Sequence, residues 1–213
     1  MPFTNQGLNT RIFRITHYRN LEFTLRNGLF CPNSPDADPG YINIGHRQMI
    51  VDRGHFPIRV EPHGVVNDYV SFYFAPRSPM LYSIHCGNVA GFNGTQSDIV
   101  YIVSNIRSIQ NAGRQFVFTD GHAYMLFSNH YSTLENLSQV DWNVMNGRYW
   151  NNINTDMDRM RRRMAEFLVY QFVPVNCILG IAACNQNKLD YVNNLLQQLN
   201  LDIEAQIKRE WYY

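Results

Sequence analysis

The sequence predicts a mixed α+β domain, and three observations predict it. Short segments alternate apolar and polar residues with a period of two, as Val70, Phe72 and Phe74 do against Ser71, Tyr73 and Ala75. Helical patterns are scattered between these segments instead of following each one in turn. No Gly-x-Gly-x-x-Gly string is present, so a doubly wound dinucleotide-binding fold has no support. The chain has 213 residues, enough for one well-filled core, and 1–213 is read as a single domain.

The elements follow in order. Residues 11–16 alternate as a short strand, then Leu21 and Leu25 share a helical face that Gly28 closes. Residues 31–64 are rich in Pro, Gly, Asn, Asp and His and read as one long loop, which inside a compact domain is usually functional or mobile. After them comes the alternating strand, stopped at Pro76 for want of an N–H; Arg77-Ser78-Pro79 turns the chain and a strand is expected to resume at Met80–Ile84. Residues 99–105 are nearly all apolar, as in a buried central strand. Phe116–Phe118 is a further strand, and the plain reading of Asp120 and His122 is a capped turn opening a helix.

Leu134, Leu137 and Val140 suggest a short helix, and Met157 to Arg163 a short basic one. Met164 to Tyr170 shifts to strand character and holds Glu166. A carboxylate in an apolar strand is costly unless paired or used, and Glu166 has no basic residue at a same-face spacing. Ile178–Cys184 is a strand, Leu189–Leu199 an amphipathic helix, and Ile203, Ala205 and Ile207 alternate as a last strand.

Eighteen basic residues stand against seventeen acidic ones, so the net charge of +1 does not announce a nucleic-acid partner. Arg159, Arg161, Arg162 and Arg163 are where a local basic surface is expected. Cys31, Cys86, Cys177 and Cys184 have no zinc spacing and read as free, mostly buried thiols of a reducing, cytoplasmic compartment. No apolar run approaches a membrane span, and the first residues carry no leader pattern.

Several strings resemble one family. Asp68-Tyr-Val-Ser-Phe-Tyr-Phe-Ala-Pro-Arg-Ser-Pro-Met-Leu81 is similar to the signature strand of the DarT family of DNA ADP-ribosyltransferase toxins, which lines a nicotinamide crevice. Arg14-Ile15-Thr16-His17 resembles a first-strand motif that reads roughly His-Ile-Thr-His, with the first position departing. Backbone contacts survive that change; a side-chain contact from position 14 is not carried over. Tyr41–Gly45, Arg53-Gly54-His55, Phe116–His122, Ala165–Leu168 and Arg209–Tyr213 follow in collinear order.

The resemblance implies the ADP-ribosyltransferase fold: two packed, mostly antiparallel sheets around a NAD+ crevice, with flanking helices. It implies NAD+ as co-substrate and no metal. Arg53 and Glu166 are then the catalytic pair, Glu166 stabilising the oxocarbenium-like centre and Arg53 orienting or deprotonating the acceptor base. Arg14, Ile15, Thr16, His17, Phe23, Cys31, Arg53, Tyr73 and His122 surround NAD+, with 31–64 as the covering loop. About 141–165 forms the substrate loop, where Tyr149 and Trp150, with Arg77, meet DNA. The acceptor implied is thymine in single-stranded DNA, since a duplex would hide the reacting atom. A DarG-like macrodomain antitoxin is the implied partner, and no membrane is involved. Three alternatives stay open: a relative acting on tRNA or protein, a guanine-specific DNA enzyme, and a non-catalytic single-strand-binding module.

Overall fold

The computed structural model describes residues 4–213; Met1–Phe3, part of the stretch without a leader pattern, lie outside the described residues. In chain order the elements begin with β1 (Arg11–His17), α1 (Leu21–Asn27), β2 (Leu29–Phe30), α2 (Arg47–Arg53), β3 (Tyr69–Tyr73) and α3 (Pro79–His85). Then come β4 (Ile99–Asn105), α4 (Ile106–Asn111), β5 (Phe116–His122), β6 (His130–Tyr131), α5 (Trp142–Asn146) and α6 (Arg159–Arg163). The chain ends with β7 (Ala165–Tyr170), β8 (Phe172–Val173), β9 (Gly180–Ala183), α7 (Gln186–Gln198) and β10 (Glu204–Ile207).

Eight strands form one sheet in the order β10-β9-β4-β1-β3-β7-β5-β6, and β2 pairs with β8 in a small second sheet. All pairings are antiparallel except β9 with β10. The large sheet is nearly two sheets. β1 pairs with β4 along its whole length, from Arg11 opposite Asn105 to His17 opposite Ile99. With β3 it shares one register pair, Phe13 opposite Tyr73. Beyond that pair β1 and β3 part, leaving two four-stranded halves with a gap between them.

One face of both halves packs on a common core. Val70 and Phe72 of β3, Phe74 just after it, Phe167 and Val169 of β7, and Val100 and Ile102 of β4 meet side chains of α1, α4 and α7 there. The opposite face carries two separate clusters. Phe13, Ile15 and Tyr101 pack under Leu81 and Ile84 of α3 and under Tyr212. Tyr69, Val117 and Leu168 pack under Ile58 and Val66. The period-two reading of β3 therefore sorts its faces correctly: the phenylalanines enter the core, while Ser71 and Tyr73 face the other side.

Three expectations need correction. The chain after Pro76 continues as α3, not as a strand. Ser78 caps it by accepting from the Leu81 N–H at 3.2 Å and Pro79 fills its first turn, a Ser-Pro start that outweighs the local alternation. Asp120 and His122 open no helix; β5 carries on through them, with an irregularity between Phe118 and His122. The segment 31–64 is not all loop, because it contains α2. Cys31 and Cys177 are buried thiols, but Cys86 is exposed and Cys184 half-buried.

Gly28 ends α1 at φ +94°, where its N–H bonds the Thr24 carbonyl at 2.8 Å. A Cβ there would lie 2.4 Å from the Phe172 ring and 2.7 Å from the Val173 carbonyl oxygen. Gly28→Ala is expected to lower the unfolding free energy by roughly 1–3 kcal/mol in urea titrations. An unchanged midpoint would show that this turn bears no strain.

Candidate active site

β7 sets the position of Glu166. Ala165, Phe167 and Val169 point into the common core, so the strand period turns Glu166 to the opposite face. Its side chain is only 2% exposed, and Arg53, the last residue of α2, reaches it from 113 positions away. The guanidinium meets the carboxylate as a fork: Nη1 donates to Oε1 at 3.0 Å and Nη2 to Oε2 at 2.8 Å. Nη2 also donates to Ser71 Oγ at 2.8 Å, and the Ala123 N–H donates to Oε1 at 3.1 Å. The end of α2 is fixed in turn by the Asn67 amide, which donates to the Ile50 carbonyl at 2.9 Å.

This geometry sets the charges. Burial opposes ionisation of Glu166, but the Arg53 charge and hydrogen bonds outweigh it, and the carboxyl is held at about 2. Burial likewise works against the Arg53 charge, and Glu166 overcomes it, so the guanidinium holds its proton more tightly than usual. Burial pushes His122 below its ordinary value, and the neutral ring accepts the Tyr124 N–H at Nδ1, 3.1 Å.

Over the gap between β1 and β3 lies a crevice of about 660 Å³, within the roughly 300–1,000 Å³ of small-molecule sites. Arg14, Ile15, Phe23, Cys31, Arg53, Tyr73, His122 and Glu166 all line it. Phe23 and Phe30 offer aromatic surface, their rings 6.2 Å apart, while Arg53, Ser71 and Glu166 offer polar groups. Apolar faces for rings combined with a charged pair for ribose and phosphate oxygens suit a dinucleotide.

Arg14, the departure from the family motif, bridges the gap. Its Nη1 donates to the Ser71 carbonyl at 2.9 Å, an acceptor that a fully zipped β1–β3 ladder would use. Thr16 and His17 are not among the side chains lining this crevice. Thr16 is buried and accepts from Asn20, whose amide also holds both backbone groups of Ile42, each at 2.9 Å. His17 accepts the Arg19 N–H at 3.3 Å, as a turn residue does, and lines a smaller adjoining cavity of about 430 Å³. Asn20, Ser71 and the Ala123 N–H escaped the sequence reading. Ser71 left a trace as a polar residue between core residues Val70 and Phe72; a backbone N–H leaves none.

The family model described as ssDNA thymidine ADP-ribosyltransferase, DarT, matches residues 13–213. The chain belongs to the DarT family. The DNA ADP-ribosyl transferase of Escherichia coli O127:H6 (strain E2348/69 / EPEC) is 36% identical over 202 residues, covering 95% of this chain and 93% of that one. The structure of Thermus sp. 2.9 DarT in complex with ADP-ribosylated ssDNA superposes with a TM-score of 0.89 at 34% identity, over 96% of this chain and 97% of that one. The same Thermus protein in complex with NAD+ gives a TM-score of 0.84 at 35% identity, over 96% and 98%. As a DarT family member the chain is an NAD+-dependent DNA ADP-ribosyltransferase with the α+β fold of that family.

The three residues expected to meet DNA are placed differently. Tyr149 is 70% exposed and presents an open ring. Trp150 is buried and its indole N–H donates to the Tyr213 hydroxyl at 2.8 Å, so it is core and offers no face for stacking. Arg77 lies over the Tyr213 ring, 4.6 Å from its centroid, and is not part of the crevice lining. The expected basic surface of α6 is also corrected. Arg161 pairs with Asp120 and Asp158, and Arg162 with Asp141, Asp156 and Asp158. Arg163 is buried, donating to the carbonyls of Val144, Met145 and Pro76.

A carboxyl held at about 2, against 4.5 when unconstrained, contributes stability in full above about pH 4.5. That contribution is lost as the pH falls toward 2. Urea midpoints measured from about pH 6 down to about pH 3 should fall more steeply for wild type than for Glu166→Gln. Parallel falls would mean that Glu166 is not ion-paired in the folded protein.

Proposed function

We propose that Glu166 and Arg53 form the reacting centre for transfer of ADP-ribose from NAD+ to a thymine base of single-stranded DNA. The observation that carries this is the buried, bidentate pair at the gap between the half-sheets. Oε1 of Glu166 accepts two hydrogen bonds and Oε2 one, and a carboxylate accommodates about four. Oε2 is thus able to accept the ribose 2′-hydroxyl. Its fixed negative charge then stabilises the positive centre that develops as the bond from ribose to nicotinamide breaks. Arg53 holds the carboxylate and orients the acceptor: the thymine ring nitrogen bonds to the ribose C1′ as nicotinamide leaves, and the proton of that nitrogen departs by way of Arg53. Ile15 and its neighbours on β1 grip nicotinamide by backbone groups. Residues 31–64, tied down through Asn20 and Ile42, cover the dinucleotide.

The acceptor site faces the segment 141–165, where Tyr149 is the open aromatic ring. Thymine presents its ring N–H on the pairing edge, so the base must be unpaired to react, and the product cannot pair afterwards. Such a lesion stops replication, which makes the enzyme a toxin acting in the cytoplasm. A cognate macrodomain antitoxin of the DarG kind that removes the ADP-ribose completes this reading.

Labelled NAD+ incubated with short oligonucleotides tests it. Label is expected on strands containing thymine and absent from strands lacking it, whether or not guanine is present. Glu166→Ala should reduce transfer by roughly a hundred- to a thousand-fold or more, and Arg53→Lys, which loses the fork, should also reduce it. Label on thymine-free strands, or full activity in Glu166→Ala, would overturn the assignment.

A further inference from the structure

Beside the crevice lies apolar surface that packing does not explain. Met125, Leu126 and Phe127 are consecutive and 44%, 71% and 84% exposed. Three exposed apolar residues in a row are a liability unless they serve a function. Their loop is firmly anchored. It leaves β5 at Ala123, whose N–H bonds Glu166. The Met125 N–H bonds the His122 carbonyl at 3.0 Å, and the Ser128 N–H bonds the Met125 carbonyl at 2.9 Å. Arg59 donates to the Leu126 carbonyl at 3.1 Å, and Ser128 is fully buried beneath Arg161, which donates to it at 3.1 Å. The backbone is fixed and the side chains point outward.

The first turn of α6 joins this loop to the crevice. Arg161 holds Ser128, Met160 lines the crevice, and Arg159 donates to the Tyr149 carbonyl at 2.7 Å. Arg59 lies at the loop and Arg148 over the Tyr149 ring, 5.7 Å from its centroid. Neither arginine has a carboxylate partner among the described residues. Exposed aromatic rings next to cations that no carboxylate neutralises are what single-stranded nucleic acid requires: stacking for its bases and charge for its phosphates.

We propose that Phe127 is a stacking platform for a base flanking the reacting thymine, with Arg59 beside it for the phosphodiester. This rests on the function proposed above. Phe127 lies four positions after Ala123, at most about 14 Å of chain, so the platform stands at a short distance from Glu166.

The test is steady-state transfer with thymine-containing oligonucleotides that carry natural bases or one abasic nucleotide beside the thymine. Phe127→Ser is expected to raise the KM for natural strands roughly 5- to 150-fold while leaving the KM for NAD+ unchanged. Phe127→Tyr should restore it. On the strand abasic at the platform position, wild type and Phe127→Ser should coincide, because the stacked base is already gone. An unchanged KM for natural strands, or a loss that persists on every abasic strand, overturns the proposal and leaves the patch to a protein surface. A wild-type enzyme that labels no thymine strand fails the functional reading first, and this inference with it.

Discussion

Two opposite charges with little access to water, locked together as a fork, govern the layout of this protein. Removing Arg53 and Glu166 from solvent costs several kcal/mol per ion in typical proteins. That cost is offset only when geometry is good and further hydrogen bonds are made. Here Ser71 supplies an extra acceptor and Ala123 an extra donor. Each participant fixes a piece of fold. α2 must lie across the sheet to deliver the arginine, and β7 must run beside β3 to deliver the carboxylate. β1 must part from β3 so that both groups open onto a crevice.

What the sequence made legible follows from range. Patterns carried by neighbours in the chain were readable: the faces of β3, the buried run of β4, the amphipathic α7. Family resemblance added Arg53 and Glu166 as individuals, and eight of the ten residues expected around NAD+ or in catalysis line one crevice. Their union was not readable, because no local pattern relates residues 113 positions apart. Thr16 and His17 were recognised by motif, yet the motif does not say whether a side chain faces ligand or holds a neighbouring segment. Trp150 was ambiguous for the same reason: an aromatic residue in a polar run reads equally as platform or core, and only its bond to Tyr213 decides.

The arginines of α6 teach the same lesson about charge. A run of basic residues at 159 to 163 suggested an attractive surface for phosphates. In the fold most of that charge is spent internally, on Asp120, Asp141, Asp156 and Asp158 and on backbone carbonyls. These contacts give shape to a segment with little regular structure of its own. By the function proposed above, the near-neutral chain meets DNA with a few isolated cations and aromatic rings, not with a broad basic field.

The two half-sheets share one ladder pair, yet the backbone passes between them four times: from β1 to β3, β3 to β4, β4 to β5, and β7 to β9. The common core and the covalent links, more than strand hydrogen bonds, keep the halves together. Across the aperture itself, one register pair and the Arg14–Ser71 bond are what join the two edges. The same threading means that no single cut in the chain yields two pieces corresponding to the halves. An enzyme that admits a dinucleotide and then a base thereby has an opening between two half-sheets that are hard to separate.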